Sequence, residues 1–298
     1  MDCNTKKLNV GGQAVIEGVM MRSPNYWAVA VRKPDGGIEV KKDKLQLLSE
    51  KHKLGKMPVI RGVLMLISAL VLGIKALNFS ANVAYDEEEE MSDWAIYGTI
   101  TLAFAIAIGV FFLLPLFLTK LCNFQSYFMF NVVDGIIRII FFLGYVYIIS
   151  KFKDIKRIFE YHGAEHKVIY SYEEDKSLSV ENAKKYSTLH PRCGTSFLII
   201  VLLISILIFS VVPKTSPFYI KALSRIVFIP LIAGVSYEVL KLSAKFKDNF
   251  LVNLFIKPGL WLQKITTSEP DEKQIEVALA ALESVLNLEK GETDASKA

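Results

Sequence analysis

Long apolar runs in the middle of the chain decide what this 298-residue sequence can fold into. Residues 94–118 contain no charged side chain, and this run of 25 exceeds the roughly 20 residues that cross a bilayer core of about 30 Å. Residues 127–149 form a second run of 23, and residues 197–212 and 226–240 form shorter runs of 16 and 15. We therefore predict a mainly α-helical, polytopic membrane protein with about four transmembrane helices.

The segment 59–84 is also apolar, but its uncharged core is short. Only the 13 residues 62–74 lie between Arg61 and Lys75, which is fewer than a span requires. We predict that this segment forms an amphipathic or re-entrant helix. If it crossed the membrane, the basic stretch KFKDIKR (151–157) would face outward, whereas basic loops normally stay inside. The pattern favours a multi-pass protein of the cell membrane with both its amino and carboxy termini in the cytoplasm.

The amino-terminal segment is polar and contains a β-hairpin pattern. WAVAVRK (27–33) and GIEVKK (37–42) flank the turn signal Pro34-Asp35-Gly36. Residues 1–61 carry twelve Lys and Arg against six Asp and Glu. We interpret this excess as attraction to anionic membrane lipid, and we expect no nucleic-acid binding.

Together these patterns divide the chain into six segments. They are a β-rich cytoplasmic segment (1–58), the amphipathic or re-entrant helix (59–84), a first transmembrane hairpin (94–149), a cytoplasmic segment that contains His and Cys (150–195), a second transmembrane hairpin (196–243), and an interfacial helix followed by an amphipathic helix (247–298). The final helix is predicted from a spacing that places four apolar residues on one face, namely Ile275, Leu279, Leu282 and Leu286.

The segment 150–195 contains YHGAEHK (161–167), which holds two of the four histidines in the chain. On a helix, His162 and His166 lie one turn apart on the same face, where both imidazoles can bind one metal ion. With Glu165 between them they match His-x-x-Glu-His, a motif in which the glutamate activates a metal-bound water. The alternative is an exposed helix whose two histidines bind nothing.

A second cluster, LHPRCGTS (189–196), follows 24 residues later. Imidazole nitrogen and thiolate sulfur are donors that Zn²⁺ prefers, and two ligands from each of the two motifs supply the four donors of a tetrahedral site. We therefore predict that one set of residues binds Zn²⁺ or another divalent transition metal: His162, His166, His190 and Cys193. The alternative is that Cys193 only packs at the membrane boundary and His190 only shapes a turn.

Charged residues inside the apolar runs form a third group of candidates. Asp134 and Arg138 are four residues apart and can neutralise each other on one helix face. Glu238 lies near the end of the last run, where it can reach the interface beside Lys241. Ionisable side chains inside a membrane are costly, so these residues either fix helix packing through an ion pair or line a path for an ion or substrate.

Glu17 and Arg22 stand in an apolar stretch that opens with Gly11 and Gly12. A carboxylate and a guanidinium in apolar surroundings are expected to be paired or functional. The alternative is an ordinary ion pair on the surface of a strand.

Four long motifs cover much of the chain. They are GGQAVIEGVMMRSP (11–24), EYHGAEHKVI (160–169), TLHPRCGTSF (188–197) and PGLWLQKITTSEPDEKQIEVALAAL (258–282). Together they resemble the YqhQ-like family of bacterial membrane proteins, and this resemblance implies a predicted metal-dependent enzyme. It gives weight to one set of site residues, namely Glu17, Arg22, His162, Glu165, His166, His190, Arg192 and Cys193. Ser268 stands where the resemblance leads us to expect an arginine.

Two functions are compatible with these motifs. The first is a zinc-dependent, hydrolase-like membrane enzyme that acts at the cytoplasmic membrane face with Glu165 as general base. The second is a channel, transporter or membrane assembly factor with a structural zinc site, and this one implies a homo-oligomer because four spans are few for a lone transporter. The number of protein ligands distinguishes them, since four ligands close a zinc site and three leave a position for water. Membrane lipid surrounds the protein in both.

Overall fold

The fold begins with a four-stranded antiparallel sheet in the computed structural model, which describes residues 7–46, 55, 57–85, 92–174, 176–213, 215–245 and 250–295. The strands lie side by side in chain order and are β1 (Gly11–Val15), β2 (Gly18–Arg22), β3 (Tyr26–Arg32) and β4 (Ile38–Lys44). The predicted hairpin is confirmed as β3 and β4, which pair antiparallel around a turn. Gly36 in that turn has a φ of 90°, a backbone conformation that glycine adopts without steric cost.

Helices form the rest of the described fold. In chain order they are α1 (Ile60–Tyr85), α2 (Asp93–Ile108), α3 (Leu114–Leu121), α4 (Tyr127–Ile149), α5 (Lys153–Glu173), α6 (Val180–Lys184), α7 (Thr195–Phe209), α8 (Phe218–Val227), α9 (Ile229–Lys245), α10 (Phe250–Thr266) and α11 (Glu272–Ala295). A π-helical turn at Gly109–Leu113 joins α2 to α3 in one continuous helical run.

Several of these helices have the length and composition of membrane spans. Three described stretches qualify singly, namely Ile60–Tyr85, Tyr97–Leu121 and Phe128–Ile149. The pair α8 and α9 qualifies together although it is bent by 47°, and α7 is a shorter apolar helix of 15 residues. The described part of the chain therefore has three helices that can cross a membrane by length and composition, or up to four with the bent pair. This confirms a mainly α-helical, multi-pass membrane protein with a small amino-terminal sheet.

One face of the sheet is covered by α5 and α11. The buried side chains on this face come from three distant parts of the sequence: Val19, Met21, Ala28 and Ala30 of the sheet, Tyr161, Ala164 and Val168 of α5, and Ile275, Ala278, Leu282 and Val285 of α11. The predicted apolar face of the last helix is thus part of this core. Burial of apolar surface contributes about 25 cal/mol per Å² to stability. Because the sheet, α5 and α11 all bury side chains in this core, it holds the three segments together as one unit.

The other face of the sheet packs against the carboxy-terminal half of α1. Leu72 and Ala76 of α1 are buried there against strand residues that include Val29 and Val31. The amino-terminal half of α1 instead contacts α9 so closely that a Cβ on Gly62 would lie 2.8 Å from the carbonyl oxygen of Gly234. Helix α1 therefore connects the sheet to the helices with membrane-span composition.

Glu238 of α9 contributes to this same connection. Its carboxylate accepts hydrogen bonds from the guanidinium of Arg61 at 2.6 and 3.2 Å. Both side chains are partly buried, and the bond joins α1 to α9. Glu238 is thus held by Arg61, a partner that its position beside Lys241 in the sequence did not indicate.

Asp134 and Arg138 form the predicted ion pair and belong to a larger buried cluster. Arg138 Nη2 donates to Asp134 Oδ2 at 2.8 Å, and Arg225 Nη2 of α8 donates to the same oxygen at 3.0 Å. Arg138 also donates to Ser205 Oγ of α7 at 3.1 Å and to the backbone oxygen of Phe111 in the π-helical turn at 3.1 Å. The three charged residues are at most 2% exposed, so this cluster ties four helical segments together through buried charge.

Removal of the Asp134 carboxylate is expected to destabilise the helix bundle. Asp134→Asn leaves two buried guanidinium groups without a negative partner, and breaking a buried ion pair from one side costs roughly 3–5 kcal/mol. Thermal unfolding of the detergent-solubilised protein measures this loss. The control is Asp154→Asn, an exposed acid in the first turn of α5, which should change the unfolding temperature little. Equal unfolding temperatures for Asp134→Asn and the wild type would show that the cluster does not hold the bundle.

Candidate metal centre

Helix α5 presents both histidines of the His-x-x-Glu-His motif to the interior of the domain. The rings of His162 and His166 lie 4.4 Å apart, as their spacing of one helical turn requires. His166 is 1% exposed and His162 is largely covered. These two residues therefore do not lie on an exposed helix face, because their rings contact the backbone of Thr266 at the end of α10 and of Thr188 in the loop before α7.

Cys193 reaches the two histidines from the loop before α7. Its Sγ lies 3.3 Å from His162 Nε2. One candidate ligand atom from each of His162, His166 and Cys193 lies within 4.8 Å of the other two. Two imidazole nitrogens and one sulfur at this separation match the donor set of a zinc site in which three ligands come from protein.

Backbone carbonyl groups fix the orientation of both imidazoles. His162 Nδ1 donates to the carbonyl oxygen of Thr266 at 2.8 Å, and His166 Nδ1 donates to that of Thr188. Each Nε2 therefore carries the lone pair and faces the cluster, which is how metal-binding histidines are usually held. Burial also lowers the pKa of His166, and this favours the neutral form that binds metal.

Thr195 supports the sulfur of Cys193. Its backbone nitrogen and its hydroxyl donate to Cys193 Sγ at 3.4 and 3.2 Å. His166 Nε2 is buried and has no hydrogen-bond partner among the described residues. The two hydrogen bonds from Thr195 stabilise negative charge on the sulfur of Cys193. The lone pair of His166 Nε2 remains available beside it as a neutral metal ligand.

His190 lies beside the cluster but outside the group of donor atoms. Its backbone N–H donates to Gln263 Oε1 at 2.8 Å, and its ring packs on Tyr170 with centroids 4.4 Å apart. Its Nε2 is 3.5 Å from Glu173 Oε2. In the described structure, the compact group consists of His162, His166 and Cys193. Metal binding by His190 stays a prediction, and the orientation of its Nε2 towards Glu173 does not favour it.

Glu165 is buried next to the cluster. Its Oε2 lies 3.9 Å from His162 Nε2, and its carboxylate accepts a hydrogen bond from the backbone N–H of Gly12. Burial raises the pKa of Glu165, although the nearby imidazoles of His162 and His190 and the Gly12 N–H oppose this. A Cβ on Gly12 would lie 2.8 Å from the Glu165 side chain, so glycine is required where β1 approaches α5.

A cavity of about 510 Å³ borders the cluster. Its walls include β1, α5 and the loop before α7, together with Leu240 of α9. Arg22 and Arg192 both line it. Arg192 forms an ion pair with Glu173, so its charge is compensated.

Glu17 lies elsewhere and does not pair with Arg22. Its carboxylate accepts from Arg157 Nη2 at 2.6 Å and from the hydroxyl of Tyr161 at 3.2 Å. Both partners belong to α5, so Glu17 joins the turn between β1 and β2 to that helix. Asp134, Arg138 and Glu238 do not line the cavity, since they hold the helix bundle together.

Several residues that position the site could not be predicted from the sequence. Thr188 and Thr266 act through backbone carbonyls, which every residue has, and Gln263 contacts only the backbone of His190. Gly12 was visible as part of a glycine pair, but its contact with Glu165 depends on packing between β1 and α5.

The fold and this cluster define a class of protein, namely a multi-pass membrane protein whose sheet domain carries a compact His–His–Cys group. The chain belongs to the DUF1385 family, described as a protein of unknown function, whose family model matches residues 57–288. It is 36% identical over 302 residues to the "Uncharacterized protein YqhQ" of Bacillus subtilis (strain 168), a match that covers 94% of this chain and 92% of that protein. This supports the resemblance to the YqhQ-like family. No solved structure matches the chain.

Metal analysis of two histidine variants tests the ligand set. Protein purified without chelator should contain about one zinc per chain, and His166→Ala should lose it because only two protein ligands remain. His190→Ala should keep its zinc, since His190 contacts Tyr170 and Glu173 instead. Loss of zinc from both variants to the same extent would indicate four ligands, and absence of any transition metal from the wild type would contradict the site.

Proposed function

We propose that the protein is a metal-dependent membrane enzyme of the hydrolase type. The observation that carries this proposal is the three-donor group of His162, His166 and Cys193 with the buried carboxylate of Glu165 beside it. Three protein ligands leave one position of a tetrahedral ion open, and a closed structural site has four. A bound Zn²⁺ supplies a water whose pKa is lowered to about 7.

The residues of this chain perform the remaining steps of the proposed reaction. Glu165 accepts the proton of the attacking water and returns it to the leaving group, and its raised pKa suits both roles. The Gly12 N–H holds the carboxylate in place. Thr266 and Thr188 hold the two imidazoles, so the ligands keep their positions while the water is consumed.

Zinc is the metal that the donor set favours. One thiolate and two imidazoles are borderline or soft ligands, whereas Mg²⁺ and Ca²⁺ prefer oxygen. Other divalent transition metals bind the same donors, so the competing outcome of a metal analysis is Fe²⁺ or Co²⁺ in place of Zn²⁺. The alternative function, an oligomeric channel or assembly factor with a structural zinc site, requires His190 as the fourth ligand, and its Nε2 is next to Glu173 instead.

The shared core of the sheet, α5 and α11 favours one membrane topology. These three parts pack together, so they lie on one side of the membrane, and an even number of crossings separates each from the next. The α2–α3 run and α4 provide two crossings before α5. Helix α7 and the bent α8–α9 pair provide two more before α11, although α7, at about 22 Å, requires local thinning of the bilayer.

In this topology α1 does not cross the membrane, even though its length and composition allow it. Its carboxy-terminal half is covered by the sheet, and its exposed side chains are mostly apolar, among them Ile67, Leu70 and Val71, with the charged Lys75 also exposed. Such a helix suits the membrane interface. The basic stretch at the start of α5 supports a cytoplasmic position for the proposed metal centre, because basic loops normally stay inside.

The Glu165→Gln variant distinguishes an enzyme from a protein whose zinc site is purely structural. Glu165→Gln keeps the shape of the side chain and an oxygen for the Gly12 N–H, but it cannot accept a proton. Zinc content and unfolding temperature should stay close to the wild type, whereas complementation of a deletion strain should be lost. Full complementation by Glu165→Gln, together with unfolding of His166→Ala, would favour a structural site.

Cysteine labelling in intact cells tests the topology. Cys122 is exposed between α3 and α4, and a membrane-impermeant maleimide should label it from outside. Cysteines placed at Lys156 and Lys290 should react only after the membrane is permeabilised, because both belong to the shared core domain on the inner face. Labelling at Lys156 in intact cells would mean that α1 crosses the membrane.

A further inference from the structure

We propose that Arg22 binds an anionic group of the substrate, so that the substrate of this site is a phosphate or carboxylate compound. The inference rests on the proposed function, because it concerns the cavity that borders the His–His–Cys group. It adds a substrate class that the metal ligands alone do not indicate.

The first observation concerns the pairing of the arginines. In the described ranges, each of the other arginine side chains has an acidic partner: Arg32 with Glu276, Arg61 with Glu238, Arg138 and Arg225 with Asp134, Arg157 with Glu17, and Arg192 with Glu173. The side chain of Arg22 has neither a hydrogen bond nor an ion pair to any residue that the structure describes, and it is only partly buried. A cavity-lining guanidinium without a protein partner is available to a ligand.

The second observation is the glycine beside Arg22 in the sheet. Gly11 of β1 is the cross-strand partner of Arg22, and the Nε of Arg22 lies 4.0 Å from the place of a Cβ on Gly11. The Arg22 side chain therefore lies against β1, the edge strand of the sheet, and Gly11, Gly12 and Arg22 together line the cavity.

The third observation is the charge balance of the cavity. Arg192 is neutralised by Glu173, which leaves Arg22, Glu165 and the metal ligands. A divalent ion held by two neutral imidazoles and one thiolate has a net charge of +1, and Arg22 adds another. A buried carboxyl at Glu165 offsets at most one of these, so the loaded site attracts anions.

A phosphate or carboxylate group uses both features at once. An anion in the cavity would accept hydrogen bonds from the planar fork of the Arg22 guanidinium, and a metal held by His162, His166 and Cys193 would supply a second positive charge in the same cavity. Such an anion comes either from a water-soluble compound or from a lipid headgroup. The second source is compatible with Leu240, which brings a residue of the bent α8–α9 pair into the cavity wall.

Calorimetric titration of inorganic phosphate into the zinc-loaded, detergent-solubilised protein tests the role of Arg22. The wild type should bind phosphate, and Arg22→Gln should bind it at least about tenfold more weakly, the loss expected for a bidentate charged contact. Arg22→Lys should be intermediate because it keeps the charge and loses the fork. The matched control is Arg32→Gln, which removes the same charge from the same sheet outside the cavity and should bind like the wild type.

The same titration with dihexanoyl phosphatidic acid distinguishes the two sources. Tighter binding than inorganic phosphate, lost in Arg22→Gln, assigns the anion to a lipid headgroup, and equal binding assigns it to a soluble compound. Equal phosphate affinity of Arg22→Gln and the wild type, or no binding by either, overturns the inference while zinc content and Glu165→Gln still decide the proposed function. If the protein holds no zinc, the proposed function fails, and phosphate titration of the metal-free protein still decides the role of Arg22.

Discussion

The rest of the structure depends on one apolar core that three distant segments of the chain must share. The sheet near the amino terminus, α5 in the middle and α11 near the carboxy terminus bury their apolar faces against one another. Because each segment is separated from the next by helices with membrane-span composition, the core restricts which helices can cross. The same packing buries Glu165 and His166 on α5 and largely covers His162, so the fold and the candidate site depend on one set of contacts.

Side chains of α5 and of the loop before α7 form the site, and backbone groups hold them in place. Two imidazoles project from one turn of α5, and their outer nitrogens are held by carbonyl groups of Thr188 and Thr266. Cys193, in the loop before α7, contributes the third donor atom, and its sulfur accepts a hydrogen bond from Thr195. A carboxylate beside three donors, held by the Gly12 N–H, is an arrangement suited to activating water, whereas a fourth protein ligand would suit a structural role.

Much of the fold could be predicted because its signals are periodic. The apolar runs at 94–118 and 127–149, the hairpin of β3 and β4, and the helix face that includes Ile275 and Leu282 each follow from the spacing of side chains. The pairing of Asp134 with Arg138 also followed, since both lie on one helix. Arg225 and Arg61 could not be found this way, because they meet Asp134 and Glu238 only after separate helices pack.

The candidate site was predictable in its residue types and less so in its geometry. The spacing of His162 and His166 indicated a shared metal face, and Cys193 was identified as a nearby donor. Sequence gave no basis for placing His190 beside Glu173, because that orientation depends on Gln263 of α10.

X-ray absorption spectroscopy at the zinc edge of the purified protein identifies the ligands of the metal directly. Zinc bound by His162, His166 and Cys193 should show one sulfur at about 2.3 Å and two or three nitrogen or oxygen neighbours at about 2.0–2.1 Å, with two imidazoles among them. The Cys193→Ser variant should lose the sulfur shell. A zinc spectrum without sulfur, or one with only oxygen ligands, would contradict a metal centre formed by His162, His166 and Cys193.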